Sequence, residues 1–164
     1  MDMTQRSRLQ ATCWFAVVRA YQACTRRYAQ LLRHFDLTIP QFDVLTAVHG
    51  LGDEATPKAI AERLVVTRGN ITGLLQRLQD RGLLLTRRHH RDGRSFVCAL
   101  TPAGRRLFVR ARTAAAAFIG AQMAPFDESE LRATEALMGR MRWHLEQLDP
   151  DALASVPRTA RAAP

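Results

Sequence analysis

Thr67-Arg68-Gly69-Asn70-Ile71-Thr72-Gly73-Leu74-Leu75 is the stretch on which the fold turns. Ile71, Leu74, Leu75 and, farther on, Leu78 recur at helical spacing and form one inward face. Thr67 suits the N-cap ahead of them and Gly82 the position just past the end, which predicts a helix reaching about Arg81. The outward residues at its start are Thr67, Arg68, Asn70, Thr72 and Gly73, all small, hydrogen-bonding or cationic, with Gly69 among them in the chain. Arginine matches the guanine edge and asparagine the adenine edge, each through two hydrogen bonds. Glycine allows a close backbone approach, and the free N–H groups of a helix N-terminus favour phosphate. Arg77, one turn on, is placed to clamp a phosphate.

The segments on either side complete a motif. Upstream, Thr56 caps and Pro57 opens a short helix with Ile60, Ala61 and Leu64 facing inward, and Val65-Val66 makes a turn. A short helix, a tight turn and a longer second helix form a helix-turn-helix, whose second helix fits the major groove. Before it, Thr38 or Ile39 caps a helix with Pro40 in its first turn, with Phe42, Leu45, Val48 and Leu51 inward and Gly50 and Gly52 at its end. Downstream, residues 83–88 and 96–100 read as two strands around the polar run 89–95, a β-hairpin with an extended tip. Arg91 and Arg94 make that tip a wing able to place an arginine in the narrow minor groove. Asp92, repelled by phosphate, is read as orienting a nearby arginine. Alternation places Phe96 in the core.

Long helices flank the motif. Residues 7–35 carry an apolar stripe of Trp14, Val18, Tyr21, Cys24, Tyr28, Leu32 and Phe35. Thr101-Pro102 opens a helix to about Met123, with Leu107, Phe108, Ala111, Ala115 and Phe118 in register, and Pro125 breaks it. Asp127 with Glu130 has capping-box spacing and opens a last helix through Leu131, Met138, Met141, Leu145 and Leu148, which Pro150 ends. The stretch 151–164, rich in Ala and Pro, is expected to be disordered beyond its first residues. The organisation is then an N-terminal dimerisation helix (1–36), a winged helix-turn-helix (37–101), C-terminal dimerisation helices (102–150) and a tail (151–164). The fold class is mainly α with a small β-wing. Long amphipathic helices at both ends would expose apolar stripes in a monomer, so they call for a partner.

Composition narrows the function. Among 164 residues with formal net charge +9 there are 23 arginines and one lysine, Lys58. Residues 56–100 hold nine basic and three acidic side chains, so +6 of the +9 is concentrated there. A localised basic field suggests a polyanionic partner. The longest small or apolar run, 114–121, falls far short of the roughly 20 residues a membrane span needs. With no charged start followed by an apolar run, the chain is assigned to the cytoplasm. Cys13, Cys24 and Cys98 make neither a disulfide framework nor a zinc pattern and are read as three buried thiols. His34, His49, His89, His90 and His144 are scattered, and adjacent His89 and His90 alternate faces on a strand, so neither metal nor cofactor is expected. No P-loop, Rossmann glycines, H-E-x-x-H or G-x-S-x-G motif is found, and an enzyme is not expected.

Six ordered pieces carry a family resemblance. They are Leu37-Thr-Ile-Pro-Gln-Phe-Asp-Val-Leu45, Ile60-Ala-Glu-Arg-Leu64, Val66-Thr-Arg-Gly-Asn-Ile-Thr72, Leu78-Gln-Asp-Arg-Gly-Leu83, Asp92-Gly-Arg94 and Leu100-Thr-Pro-Ala-Gly104. Together they resemble the MarR family of winged helix-turn-helix bacterial transcription regulators. The resemblance implies a homodimer binding a pseudo-palindromic operator on double-stranded DNA, usually to repress. By position it places Thr67, Arg68, Asn70 and Thr72 in the major groove, Arg77 on phosphate, Arg94 as the wing arginine and Asp92 as its paired acid. Gly93 stands where the family commonly has a basic residue, so this wing lacks one charge.

The family is often released from DNA by small ligands, many of them aromatic acids or phenols. Trp14, Phe15, Phe42, Leu45 and His49 are the candidate lining of such a pocket. A redox-sensing branch is the alternative, but Cys13 falls one residue early against its sensing cysteine. Trp14 takes the matching place, and Val18 stands where a second tyrosine is expected beside Tyr28. A sequence-tolerant architectural DNA binder is the other alternative. It would need wedges or stacking aromatics, and only Phe96 lies near the wing.

Overall fold

The computed structural model describes residues 3–65, 67–88 and 96–154, with the main chain alone at Met3 and Arg68. In chain order the elements are α1 (Met3–Arg33), α2 (Ile39–Leu51), a 3-10 turn (Gly52–Glu54), α3 (Pro57–Leu64), α4 (Arg68–Asp80), β1 (Leu84–Arg88), β2 (Phe96–Leu100), α5 (Pro102–Met123), α6 (Glu128–Gln147) and α7 (Pro150–Ala154). The chain divides into two compact units, Met1–Ile119 and Gly120–Pro164.

In the first unit, α1 begins and ends earlier than its stripe predicts. Asp36 then turns the chain at φ 53°, and the Leu37 N–H reaches back to the Leu32 carbonyl at 3.1 Å. Only the C-terminal part of the α1 stripe enters the core. Leu32 is fully buried and Tyr28 and Phe35 are partly so, whereas Trp14 and Tyr21 are exposed. Thr38 closes a capping box on α2. Its N–H donates to Gln41 Oε1 at 3.0 Å, and its hydroxyl accepts from the Gln41 N–H at 3.4 Å. Phe42, Val44, Leu45, Ala47 and Val48 are all buried, so α2 is covered on more sides than the single face of Phe42, Leu45, Val48 and Leu51 read from the sequence. Thr56 caps α3 by accepting from the Ala59 N–H at 3.1 Å, with Pro57 at the first helical position.

Ile71, Leu75 and Leu78 seat α4 in the same core as Leu45, Ile60 and Phe108. Each fully buried aliphatic or aromatic side chain of this kind is worth about 1.5–3 kcal/mol. Gly82, at φ 66°, turns the chain out of α4, and the Leu83 N–H bonds to the Leu78 carbonyl at 2.9 Å. β1 and β2 pair antiparallel, from Leu84 opposite Leu100 to Arg88 opposite Phe96. The Cys98 N–H also donates to the Ala55 carbonyl at 2.8 Å, so the outer edge of β2 is held by the residue after the 3-10 turn. Phe96 departs from the expectation of a core residue and is 53% exposed. It lies at the far end of the ladder, and β2 buries the successive Val97 and Cys98 instead of alternate residues.

α5 is fastened to the end of α4 through Thr101. The Thr101 N–H donates to the Leu83 carbonyl at 3.1 Å, and its hydroxyl donates to the Gly82 carbonyl at 2.7 Å while accepting the Gly104 N–H at 3.0 Å. A row of rings joins α1, α2 and α5. Tyr28 lies 6.3 Å from Phe42 and 5.5 Å from Phe118, and Phe42 lies 6.0 Å from Phe108.

In the second unit, Asp127 caps α6 through a box with Glu130, as its spacing predicts. The Glu130 N–H donates to Asp127 Oδ1 at 2.9 Å, and the Asp127 N–H donates to Glu130 Oε2 at 2.9 Å. Every residue of α6 is exposed in the single chain, including Leu137, Met138, Met141, Trp143 and Leu145. Pro150 opens the short α7 rather than only ending α6, with Asp149 Oδ1 accepting the Asp151 N–H at 2.9 Å. The remaining tail, 155–164, lies outside the described residues. Among the described residues, no helix is long and apolar enough to cross a membrane. The expectation of three buried thiols holds for Cys98 alone. Cys24 is half-buried and Cys13 exposed, because the core does not extend to that part of α1.

Candidate nucleic-acid interface

α3 and α4 form a helix-turn-helix, with the outer face of α4 free of the core. Burial of Ile71, Leu75 and Leu78 leaves Thr67, Gly69, Asn70, Thr72, Gly73 and Arg77 exposed, as helical periodicity requires. Nothing lies within 4 Å of where a Cβ on Gly69 or Gly73 would stand, so core packing does not demand these glycines. Thr67 has the extended backbone of an N-cap, and its carbonyl accepts the Ile71 N–H at 3.3 Å. Its hydroxyl makes no capping bond, contrary to the sequence expectation. The first turn of α4 therefore keeps the donor-rich end that suits an anion.

Several arginines of the basic field position α4 and the hairpin. Arg81 donates from its guanidinium to the Asp36 carbonyl at 2.7 Å, tying the end of α4 to the turn between α1 and α2. Arg87 pairs with Asp53, and Gln79 donates to the Thr86 hydroxyl, so β1 is tied to both the 3-10 turn and α4. The Arg63 guanidinium lies over Gly50, where an added Cβ would approach it to 3.1 Å. Exposed pairs of this kind contribute about 0–1 kcal/mol, so their role is geometric. Arg77, by contrast, makes no ion pair among the described residues.

Arg77 also borders a cleft of about 520 Å³ between α4 and the start of α2, together with Asn70, Gly73, Pro40, Asp43 and Leu64. Burial pushes the Asp43 carboxyl above the usual carboxylate range. The Tyr28 hydroxyl is also raised, first by burial, then by the negative charges of Asp43 and Cys24.

The five residues expected to line a ligand pocket fall into two groups. Trp14 and Phe15 meet edge to face at 4.9 Å on α1, both more than half exposed. Phe42 and Leu45 are core residues, and His49 lies 4.7 Å from the Phe108 ring. The α1 residue that meets Phe42 is Tyr28, fourteen residues or about 21 Å along the helix from Trp14. One chain alone therefore does not close these five around a ligand. Arg91, Asp92, Arg94 and the adjacent His89 and His90 lie outside the described residues, as does the Arg68 side chain. Among the described residues, no three His, Cys, Asp or Glu side chains are placed to hold a metal ion.

Comparison with known proteins bears on this face directly. Residues 35–95, which span the helix-turn-helix and reach into the hairpin, match the MarR family model. An uncharacterised HTH-type transcriptional regulator of Bacillus anthracis is 29% identical over 138 residues, covering 82% of this chain and 89% of the relative. Among solved structures, the S. aureus MepR–DNA complex superposes with a TM-score of 0.72 at 21% identity, over 82% of this chain and 96% of that one. The organohalide-sensing RdhR regulator in its 2,4-dichlorophenol-bound form gives a TM-score of 0.72 at 18% identity, over 88% and 85%. These likenesses agree with the helix-turn-helix, the antiparallel hairpin and the flanking helices described above: the chain is similar in sequence and fold to transcriptional regulators of the MarR family.

Proposed function

We propose that the chain acts in the cytoplasm as a homodimeric repressor of a pseudo-palindromic operator, released by a small aromatic acid or phenol. The observation that carries the DNA reading is the exposed face of α4. Thr67, Gly69, Asn70, Thr72 and Gly73 stand clear of the core at the N-terminal end, and Arg77 is unpaired among the described residues. Asn70, Thr72 and the Arg68 side chain read base edges, Gly69 and Gly73 admit the DNA backbone, and Arg77 holds a phosphate. Arg91 and Arg94 on the wing enter the minor groove, with Asp92 orienting an arginine. The dimer reading is supported by the apolar side chains left exposed on α1 and, separately, on α6. A two-fold pair sets the two recognition helices one DNA turn apart, ~34 Å.

The ligand reading rests on the cleft beside α4. A carboxylate or phenolate there would engage Arg77 and compete with DNA for it. The test is fluorescence anisotropy on DNA from upstream of the chain's own gene, with a scrambled duplex as control and a salt series. Binding at about 10⁻⁸ M or tighter, thousands-fold above the scramble, is the expected result. Equal and salt-sensitive binding to both duplexes would instead make it an architectural binder. Release by 2,4-dichlorophenol or salicylate, but not by cyclohexanol, tests the ligand class.

A further inference from the structure

We propose that Val65 is a specificity residue that reads an A·T base pair through the thymine methyl group, an inference that rests on the DNA-binding reading of α4. Val65 closes α3 in the left-handed conformation, φ 54° and ψ 46°, with its N–H bonded to the Glu62 carbonyl at 3.3 Å. A β-branched residue is a genuine outlier there, whereas glycine or asparagine would make the same turn at little cost. Strain of this kind persists where a structure or a function requires the side chain. Packing does not require it, because Val65 is 90% exposed, the highest exposure of any large apolar residue described.

The position explains what packing does not. Val65 lies two residues before Thr67, which starts α4, and so beside the end of the helix that faces the major groove. The exposed residues two positions to either side in the sequence, Arg63 and Thr67, are charged and polar. The apolar group that base edges offer in the major groove is the C5-methyl of thymine, and small apolar side chains match it. A β-branched side chain has few χ1 rotamers to lose, so it presents two methyl groups at small ordering cost.

The experiment uses the full chain and the upstream duplex identified by anisotropy, with each thymine replaced in turn by deoxyuridine, which removes only the methyl. In the wild type, substitution at one symmetric pair of positions is expected to weaken binding about four-fold per half-site. In Val65→Gly the same substitution is expected to have no effect, while the melting temperature rises because the turn is relieved. If Val65→Gly keeps the full deoxyuridine penalty, or if no thymine methyl matters to the wild type, the inference is overturned. If the wild type binds no duplex above the scramble, the DNA-binding reading of α4 fails and this inference falls with it.

Discussion

Gly104, in the first turn of α5, lies so close to Leu83 that a Cβ on it would stand 2.0 Å from the Leu83 carbonyl oxygen. The same carbonyl accepts the Thr101 N–H, and the Thr101 hydroxyl spans from the Gly82 carbonyl to the Gly104 N–H. The L-T-x-x-G element is thus a clasp between the start of α5 and the junction of α4 with β1. It holds the recognition helix and the base of the wing on one rigid support.

Gly104→Ala should therefore destabilise the fold by about 3 kcal/mol, the upper part of the range for overpacking, because the obstructing atom is main chain and cannot swing aside. Urea denaturation followed by circular dichroism measures this. A loss under about 0.5 kcal/mol would mean that the turn at Leu83 yields freely. Thr101→Val should cost about 1–2 kcal/mol through the lost donor and cap.

Arg77→Ala and Asn70→Ala should separate phosphate contact from base reading. Arg77→Ala should weaken binding by a similar factor on every duplex and reduce the salt slope by about 0.9 per half-site, about 1.8 for the bound dimer. Asn70→Ala should cost about 1–3 kcal/mol on the operator and relax the preference at one base position. Anisotropy on operator and scrambled duplexes distinguishes the two. A uniform loss for Asn70→Ala would make it a phosphate contact instead.

Asp43 should give the stability a defined dependence on pH. Burial raises its folded-state pKa above the ordinary 3.8, so the folded chain holds that proton more tightly than the unfolded chain. The resulting stability is fully present below 3.8 and is lost as pH rises through the raised folded value. Asp43→Asn should consequently melt at a higher temperature than wild type at pH 7. The difference should shrink as the pH falls and vanish only below 3.8. Thermal melts across that window test the sign, and a variant less stable at pH 7 would show that the ionised carboxylate is favoured by a partner such as Arg77.

Trp143→Arg tests the dimer. Trp143 is 65% exposed on a helix with no buried residue, so a charge there costs the single chain little. Sedimentation equilibrium should find the wild type dimeric at micromolar concentration and the variant shifted toward monomer, with weaker operator binding. A monomeric wild type would leave the exposed apolar residues of α1 and α6 to some other partner.

The order and type of the six main helices and the two strands are legible in the sequence, though not the 3-10 turn at Gly52–Glu54 or α7, because the signals of the former are local. Thr38-Ile39-Pro40, Thr56-Pro57 and Asp127 with Glu130 mark helix starts through bonds made within one turn, and Gly82 marks an end through its own backbone freedom. The inward face of α4 followed from 3.6-residue periodicity, and its outward face from the same count. What depends on distant residues was not legible. Whether Phe96 is buried depends on how far the core extends beneath the hairpin, which alternation within one strand cannot report. Trp14 and Leu32 share one stripe on α1, yet only Leu32 is in the core, because Phe42 of α2 and Phe118 of α5 meet that helix at Tyr28, near its C-terminal end. The use of Arg81 and Arg87 as ties to Asp36 and Asp53 joins residues 45 and 34 positions apart. Val65 reads as an ordinary turn residue in the sequence, and its left-handed backbone and 90% exposure are set by how α3 and α4 meet. Such properties arise from three-dimensional closure, which no local signal encodes.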